Sequence, residues 1–220
     1  MIDNPAQSYY HSPMRTKNKP DGQKRPTFIE AARRAQLIES AIETIATLGY
    51  AQASLAQVAK RAGISKSVIT YYFTSKEELL EHVVTEIYRA AIEAVTPQIM
   101  AQSTTALRLH AYIRSAVDYI GAHRMRMLAL MEIALNVRTA DGKLRYGGAT
   151  QEWILAPLEA LLRQGQEEGD FRPFDVRVMA VTIRRAIDAL PSLFTSIPEL
   201  DVESYGQELV TLFDRATRKG

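Results

Sequence analysis

From Phe28 to Leu48 apolar residues recur at three- and four-residue steps: Ile29, Ala32, Leu37, Ile38, Ala41, Ile42 and Ile45. That period gathers them on one face of a helix, which Gly49 ends. The next stretch, Leu55 to Thr74, reads LAQVAKRAGISKSVITYYFT, with small and branched residues placed for two short helices crossing at a sharp turn. Ala59 keeps the first of these helices thin where the second crosses it. Gly63 takes the positive φ that redirects the chain, and Val58, Ala62, Ile64, Ile69 and Tyr72 fill the wedge. Ser65 stands where a side-chain oxygen caps the second helix. Thr27 with Glu30, Ser54 with Gln57, and Ser75 with Glu78 each read as a capping box. By composition alone VITYYF reads as a strand, but the caps on both sides and the Ala-Gly-Ile spacing agree on a helix.

From Lys76 onward the pattern is helix after helix. Leu80, Val83, Val84, Ile87, Ala91, Ala94 and Val95 form a continuous stripe, which predicts a long helix linking the N-terminal region to the rest. Periodic segments follow at about 105–121, 124–138, 149–168, 175–194 and 202–217, for about nine helices and no strand pair. Breakers separate them: Gly121, the polar TADGK at 139–143 with Gly147 and Gly148, Gly169 to Pro173, and Ile197-Pro198 ahead of Asp201 as a cap. The fold class is all-α. A three-helix helix-turn-helix domain at 27–75 precedes a larger helical domain at 76–220. Residues 1–26, with four prolines and Arg15, Lys17, Lys19, Lys24 and Arg25, read as a mobile basic tail able to reach a DNA minor groove.

Charge separates the two ends. Residues 1–76 hold eleven Lys and Arg against five Asp and Glu, net +6, whereas 77–220 hold sixteen against twenty, net −4. A basic front on a mildly acidic chain is the footprint of a phosphate-binding face. The chain has no cysteine, which excludes disulfides and thiolate metal sites. Apolar runs such as MLALM are too short to span a bilayer, and the N-terminus lacks a signal-peptide core, so a cytoplasmic protein without membrane association is expected. His11, His82, His110 and His123 are scattered, and no phosphate loop, metal-spaced cluster or nucleophile elbow occurs. An enzyme, a metal site and a resident cofactor are therefore not expected.

Residues 39–80, including Gly49-Tyr50 and the closing Phe73, Lys76, Glu77 and Leu79, resemble the DNA-binding domain of the TetR (tetracycline repressor) family. The resemblance implies a transcription regulator: an all-helical homodimer, most readily a repressor, that binds a palindromic operator in double-stranded DNA. A small-molecule effector would release it by tilting the helix from Lys76. Activation, or sequence-indifferent architectural binding, is the alternative. The family's recognition helix resembles SKGTLYYHF, and SKSVITYYF stands here at Ser65 to Phe73. By that correspondence Lys66 contacts phosphate, Tyr71 meets backbone or base, Tyr72 replaces a phosphate-donating His, Lys76 completes the phosphate clamp, and Ser54 binds phosphate at its helix start. Ser67, Val68 and Thr70 depart from the usual Gly, Thr and Tyr. Val68 and the Thr70 methyl suit thymine methyl groups, and the hydroxyls of Ser67 and Thr70 can bond several bases.

The resemblance further implies that the last two helical segments, 175–217, form a four-helix bundle with a second copy. Their stripes are Val178, Met179, Ile183, Ala186, Ile187 and Leu190, then Val202, Tyr205, Leu209, Leu212, Phe213 and Ala216. For the effector, Tyr112, Tyr119, Met125, Met127, Met131, Trp153 and Leu158 are candidate pocket residues or plain core. Asp118 and Glu132 sit among apolar neighbours and suit a cationic ligand, unless each pairs with an Arg such as Arg114, Arg124 or Arg126.

Overall fold

Side-chain caps that the sequence offers start helices at Thr27, Ser54, Asp175 and Asp201. The structure, a computed structural model, describes residues 27–146 and 152–219. The expected tail at 1–26, and Gly147 and Gly148, lie outside them. Among the described residues the regular elements are all helices. They are α1 (Phe28–Leu48), α2 (Leu55–Arg61), α3 (Lys66–Tyr72), α4 (Lys76–Met100), α5 (Thr105–Ala122), α6 (Arg124–Asn136), α7 (Glu152–Glu168), α8 (Val176–Asp188), α9 (Leu190–Ser196) and α10 (Val202–Thr217). The segment expected at 175–194 is divided at Ala189 into α8 and α9. Pro191 carries no amide hydrogen to continue the ladder, so a new helix starts there.

The caps bear out in varying degree. Thr27 and Glu30 make a complete box, and Asp175 and Asp201 cap α8 and α10 through their side chains. Ser75 receives the Glu78 amide at 3.1 Å, but the Glu78 carboxylate turns to the Thr74 amide and hydroxyl, both 2.8 Å, one residue earlier than a box requires. Ser65 occupies the N-cap of α3 without capping it. Its hydroxyl is paired with Ser67 Oγ at 2.8 Å, which leaves the helix start to other partners.

The chain forms two compact units. In the described residues one comprises 27–89 with 125–146, and the other 90–124 with 152–219. α4 runs unbroken from the first into the second. The first unit buries Leu37, Ile42 and Ile45 of α1, Val58 and Ala59 of α2, Ile69 of α3, Phe73, and Leu80, Val83 and Ile87 of α4. In the second, α10 lies along α5 and α7 packs on both α5 and α8. Its closest approaches rely on missing side chains. A Cβ on Gly121 would come within 2.7 Å of Val202, and one on Gly165 would overlap the Phe171 ring. Ile183, Ile187 and Leu190 and, from α10, Leu209 and Phe213 are buried within this unit, whereas Val178 and Leu212 are exposed. Each expected stripe is thus two faces, one consumed inside the chain and one left outside.

Candidate nucleic-acid interface

The α2–α3 turn is set by backbone geometry that the Ala-Gly-Ile order dictates. Gly63 has φ +68, its amide donates to Lys60 O at 3.2 Å, and the Ile64 amide donates to Ala59 O at 3.0 Å. These two bonds satisfy the last carbonyls of α2 in a Schellman turn, which needs a left-handed residue where Gly63 stands. Ile69 is fully buried and seats α3 on the unit. Its neighbours therefore face outward: Lys66, Ser67, Val68, Thr70 and Tyr71 are all exposed, Tyr71 by 73%. Tyr72 is half-buried, with its ring edge-on to Tyr71 at 5.1 Å. The Thr70 hydroxyl donates to Lys66 O and Ser67 O at 3.1 and 3.0 Å, so its hydrogen is engaged by the helix and its methyl and oxygen are what it offers. Ser54 is exposed and receives the Gln57 amide at 3.3 Å.

Charged side chains brace this surface from beneath. Arg34 of α1 donates to Tyr72 O at 2.9 Å, to Glu78 at 3.1 Å and to His82 Nε2 at 2.7 Å, with its guanidinium over the Phe73 ring at 4.4 Å. One side chain thus holds the end of α3 against the start of α4. Partial burial pushes the Glu78 carboxyl up, but the Thr74 amide and hydroxyl and Arg34 outweigh it and leave it below its ordinary value. Lys76 also turns inward. Its ammonium donates to Tyr50 O at 2.6 Å and lies 4.0 Å from that ring, and burial lowers its pKa. A phosphate contact from Lys76 has to come from its other N–H bonds. On the opposite side of the Gly49-Tyr50 turn, where Gly49 has φ +77, the Tyr50 amide donates to Glu132 of α6 at 2.9 Å. Arg126 of α6 pairs with Glu39 of α1 at 2.5 Å, and Arg145 pairs with Glu81.

The sequence model for "Bacterial regulatory proteins, tetR family" matches residues 37–83, which run from α1 into α4. Residues 37–83 thus match the N-terminal domain of the tetR family. The chain is 35% identical over 106 residues to HTH-type transcriptional regulator BetI of Cronobacter sakazakii, covering 47% of this chain and 52% of that one. The matched stretch therefore spans about half the length of that relative. It is 28% identical over 171 residues to the fatty acid metabolism regulator protein of Bacillus subtilis, covering 76% and 82% respectively. Among solved structures, the fatty acid degradation regulator FadR of Bacillus halodurans shares the fold at a TM-score of 0.70 and 22% identity, covering 82% of this chain and 97% of that one. AibR, solved in complex with isovaleryl coenzyme A and operator DNA, does so at 0.69 and 21%, with the same coverage. The all-helical architecture with an N-terminal helix-turn-helix is therefore that of the tetR family.

The family's variable region is divided between the two units. Tyr112 and Asp118 on α5 and Trp153 on α7 belong to one unit, and Met127, Met131 and Glu132 on α6 to the other. Tyr112 and Met127 are buried, and Trp153 and Met131 half-buried. The two carboxylates already have partners. Asp118 is exposed and receives Arg114 Nε at 3.0 Å, while Glu132 receives the Tyr50 amide. Each carboxylate is thus bonded within its own unit. Nothing local in the sequence marks Arg34, and Glu132, expected to meet a ligand or an Arg, meets the Tyr50 amide instead. Both act on residues 38 and 82 positions away, and no local spacing carries such a signal. Among the described residues no group of three or more His, Asp and Glu is placed to hold a metal ion, and no helix is long and apolar enough to cross a membrane.

Proposed function

We propose that this chain is a cytoplasmic, homodimeric transcriptional repressor that seats α3 in successive major grooves of a palindromic operator and is released by an acyl-coenzyme A. The observation carrying the DNA-binding part is the division of labour on α3. Ile69 alone is committed to the core, and Lys66, Ser67, Val68, Thr70 and Tyr71 are presented to solvent on a rigid support. Lys66 and Ser54 serve phosphate, and Val68, Thr70 and Tyr71 face base edges. Two-fold pairing is supported by exposed Val178 and Leu212 on helices otherwise packed into the chain. A dimer of this kind reads half-sites one helical turn apart, about 34 Å.

The effector class rests on the relatives and on chemistry. A fatty acid metabolism regulator and a regulator solved with isovaleryl coenzyme A are among the similar proteins, and the paired Asp118 and Glu132 argue against a cation. Within one unit, buried Tyr112 and half-buried Trp153 suit an acyl chain. Release requires that the effector bind the DNA-incompetent state more tightly than the competent one. Selection of duplexes from a random pool with the full-length protein, followed by anisotropy titration, tests the reading. The expected result is a palindrome bound at least about a thousandfold over random DNA, with binding weakened by acyl-coenzyme A and unchanged by choline. Absence of any preferred duplex overturns the DNA-binding assignment. Release by choline alone overturns the effector class. Lys66→Ala is expected to lower the slope of log affinity against log salt by about one unit.

A further inference from the structure

The first turn of α1 departs from the amphipathic pattern that its sequence follows elsewhere. Ile29 belongs by spacing to the same stripe as Leu37 and Ile38, yet it is 77% exposed, and the adjacent Phe28 is 89% exposed. Two large apolar side chains side by side in water are unfavourable, by about 25 cal/mol for each Å² that burial would remove. The turn that carries them is fixed rather than frayed. Glu30 receives the Thr27 amide at 2.7 Å and its hydroxyl at 3.0 Å, and returns its own amide to that hydroxyl at 3.2 Å. Those Thr27 bonds hold the Glu30 carboxyl below its ordinary value, with a smaller contribution from the hydroxyl of Tyr71. Further along the same helix Arg34 donates to Tyr72 O at 2.9 Å, so the start of α1 lies near the end of α3.

Its electrostatic setting also favours nucleic acid. The fourteen residues from Met14 to Thr27 contain Arg15, Lys17, Lys19, Lys24 and Arg25 against Asp21 alone. The one acid beside the pair, Glu30, is occupied by Thr27. Basic residues next to an apolar pair match the minor groove, where cations approach phosphates and apolar side chains enter between base steps.

We propose that Phe28 and Ile29 form a second DNA contact, an apolar wedge in the minor groove flanking the major-groove site of α3. The proposal rests on the DNA-binding reading above. It predicts specificity of a distinct kind. The minor groove separates A·T from G·C through the guanine 2-amino group, so flanking A·T pairs are preferred. Inosine·cytosine pairs, which lack that amino group, substitute for them, although their major-groove face is that of G·C.

The test uses the full-length protein and the duplex it selects, with flanks of A·T, inosine·cytosine or G·C. Wild-type protein is expected to bind the first two alike and the third about tenfold more weakly. The double variant Phe28→Ser/Ile29→Ser should lose that discrimination and keep the wild-type salt slope, because no cation has been removed. Both residues are exposed, so the variant's circular dichroism and melting should match the wild type. Equal binding to all three flanks by the wild type, or a variant that discriminates as well as the wild type, overturns the wedge and leaves the α3 assignment standing. If neither protein prefers any duplex, the DNA-binding reading itself fails. Loss of affinity that is the same for all three flanks also counts against a groove contact and assigns Phe28 and Ile29 to contact with another part of the protein.

Discussion

The two units of this chain are stabilised by different means. In the unit containing α1, α2 and α3, junctions are closed by side chains bonded to backbone: Arg34 to Tyr72, Lys76 to Tyr50, and Glu132 to Tyr50. In the unit containing α5, α7, α8 and α10, helices are brought together at glycine, as at Gly121 against Val202 and Gly165 against Phe171, and Arg177 of α8 also pairs with Glu152 and Glu159 of α7. Charge-assisted bonds are screened by salt and respond to pH, whereas contacts between apolar side chains are not screened. The bonds that support the candidate DNA-facing surface can therefore be tuned by solution conditions.

The largest expected effect breaks the reading unit at its one packed anchor. Ile69→Ala should destabilise it by about 3 kcal/mol, since deleting a fully buried aliphatic group leaves a cavity, and DNA binding should fall with it. Chemical denaturation followed by circular dichroism measures this. Next is the packed unit. Gly165→Ala should cost about 2 kcal/mol as the Phe171 ring is displaced, with a similar loss in low and high salt. Arg34→Met tests the contrast directly. It removes the donor to Tyr72 O and the partner of Glu78, for a loss of about 1 kcal/mol that shrinks in 1 M salt. If the Gly165 and Arg34 variants respond identically to salt, the distinction between the units is wrong.

The smallest effect is in acid. Glu78 has its folded pKa below the reference value of 4.5, so its contribution is fully present above that value and is lost as pH falls through the lower folded pKa. Stability of the reading unit should therefore decline below about pH 4.5. Glu78→Gln should flatten that part of the profile in melts recorded across the range.

Much of the architecture was legible because it is written locally. Caps at Thr27, Ser54, Asp175 and Asp201, the Gly63 turn and the helical stripes all lie within a few residues of what they determine. The reading helix was legible for the same reason. Ile69 points in because it has the right offset from Ala59 and Gly63, and Tyr71 then has to point out. What escaped depends on distant partners. Ile29 has the periodicity of a core residue, but nothing packs over it among the described residues. Lys76 has the motif position of a phosphate ligand, but the Tyr50 carbonyl reaches it first. Ser65 has the identity of a cap and spends its hydroxyl on Ser67. Asp118 and Glu132 look like ligand groups until Arg114 and the Tyr50 amide are seen beside them.

Tyr71, Val68 and Ser67 project from α3 without belonging to the core that Ile69 anchors. On the DNA-binding reading proposed above, sequence preference and foldability are consequently under separate control. Variation at these three sites can explore new operators while every variant keeps its scaffold, which makes this helix a natural site for diverging gene control among duplicated copies and a tractable one for library-based retargeting.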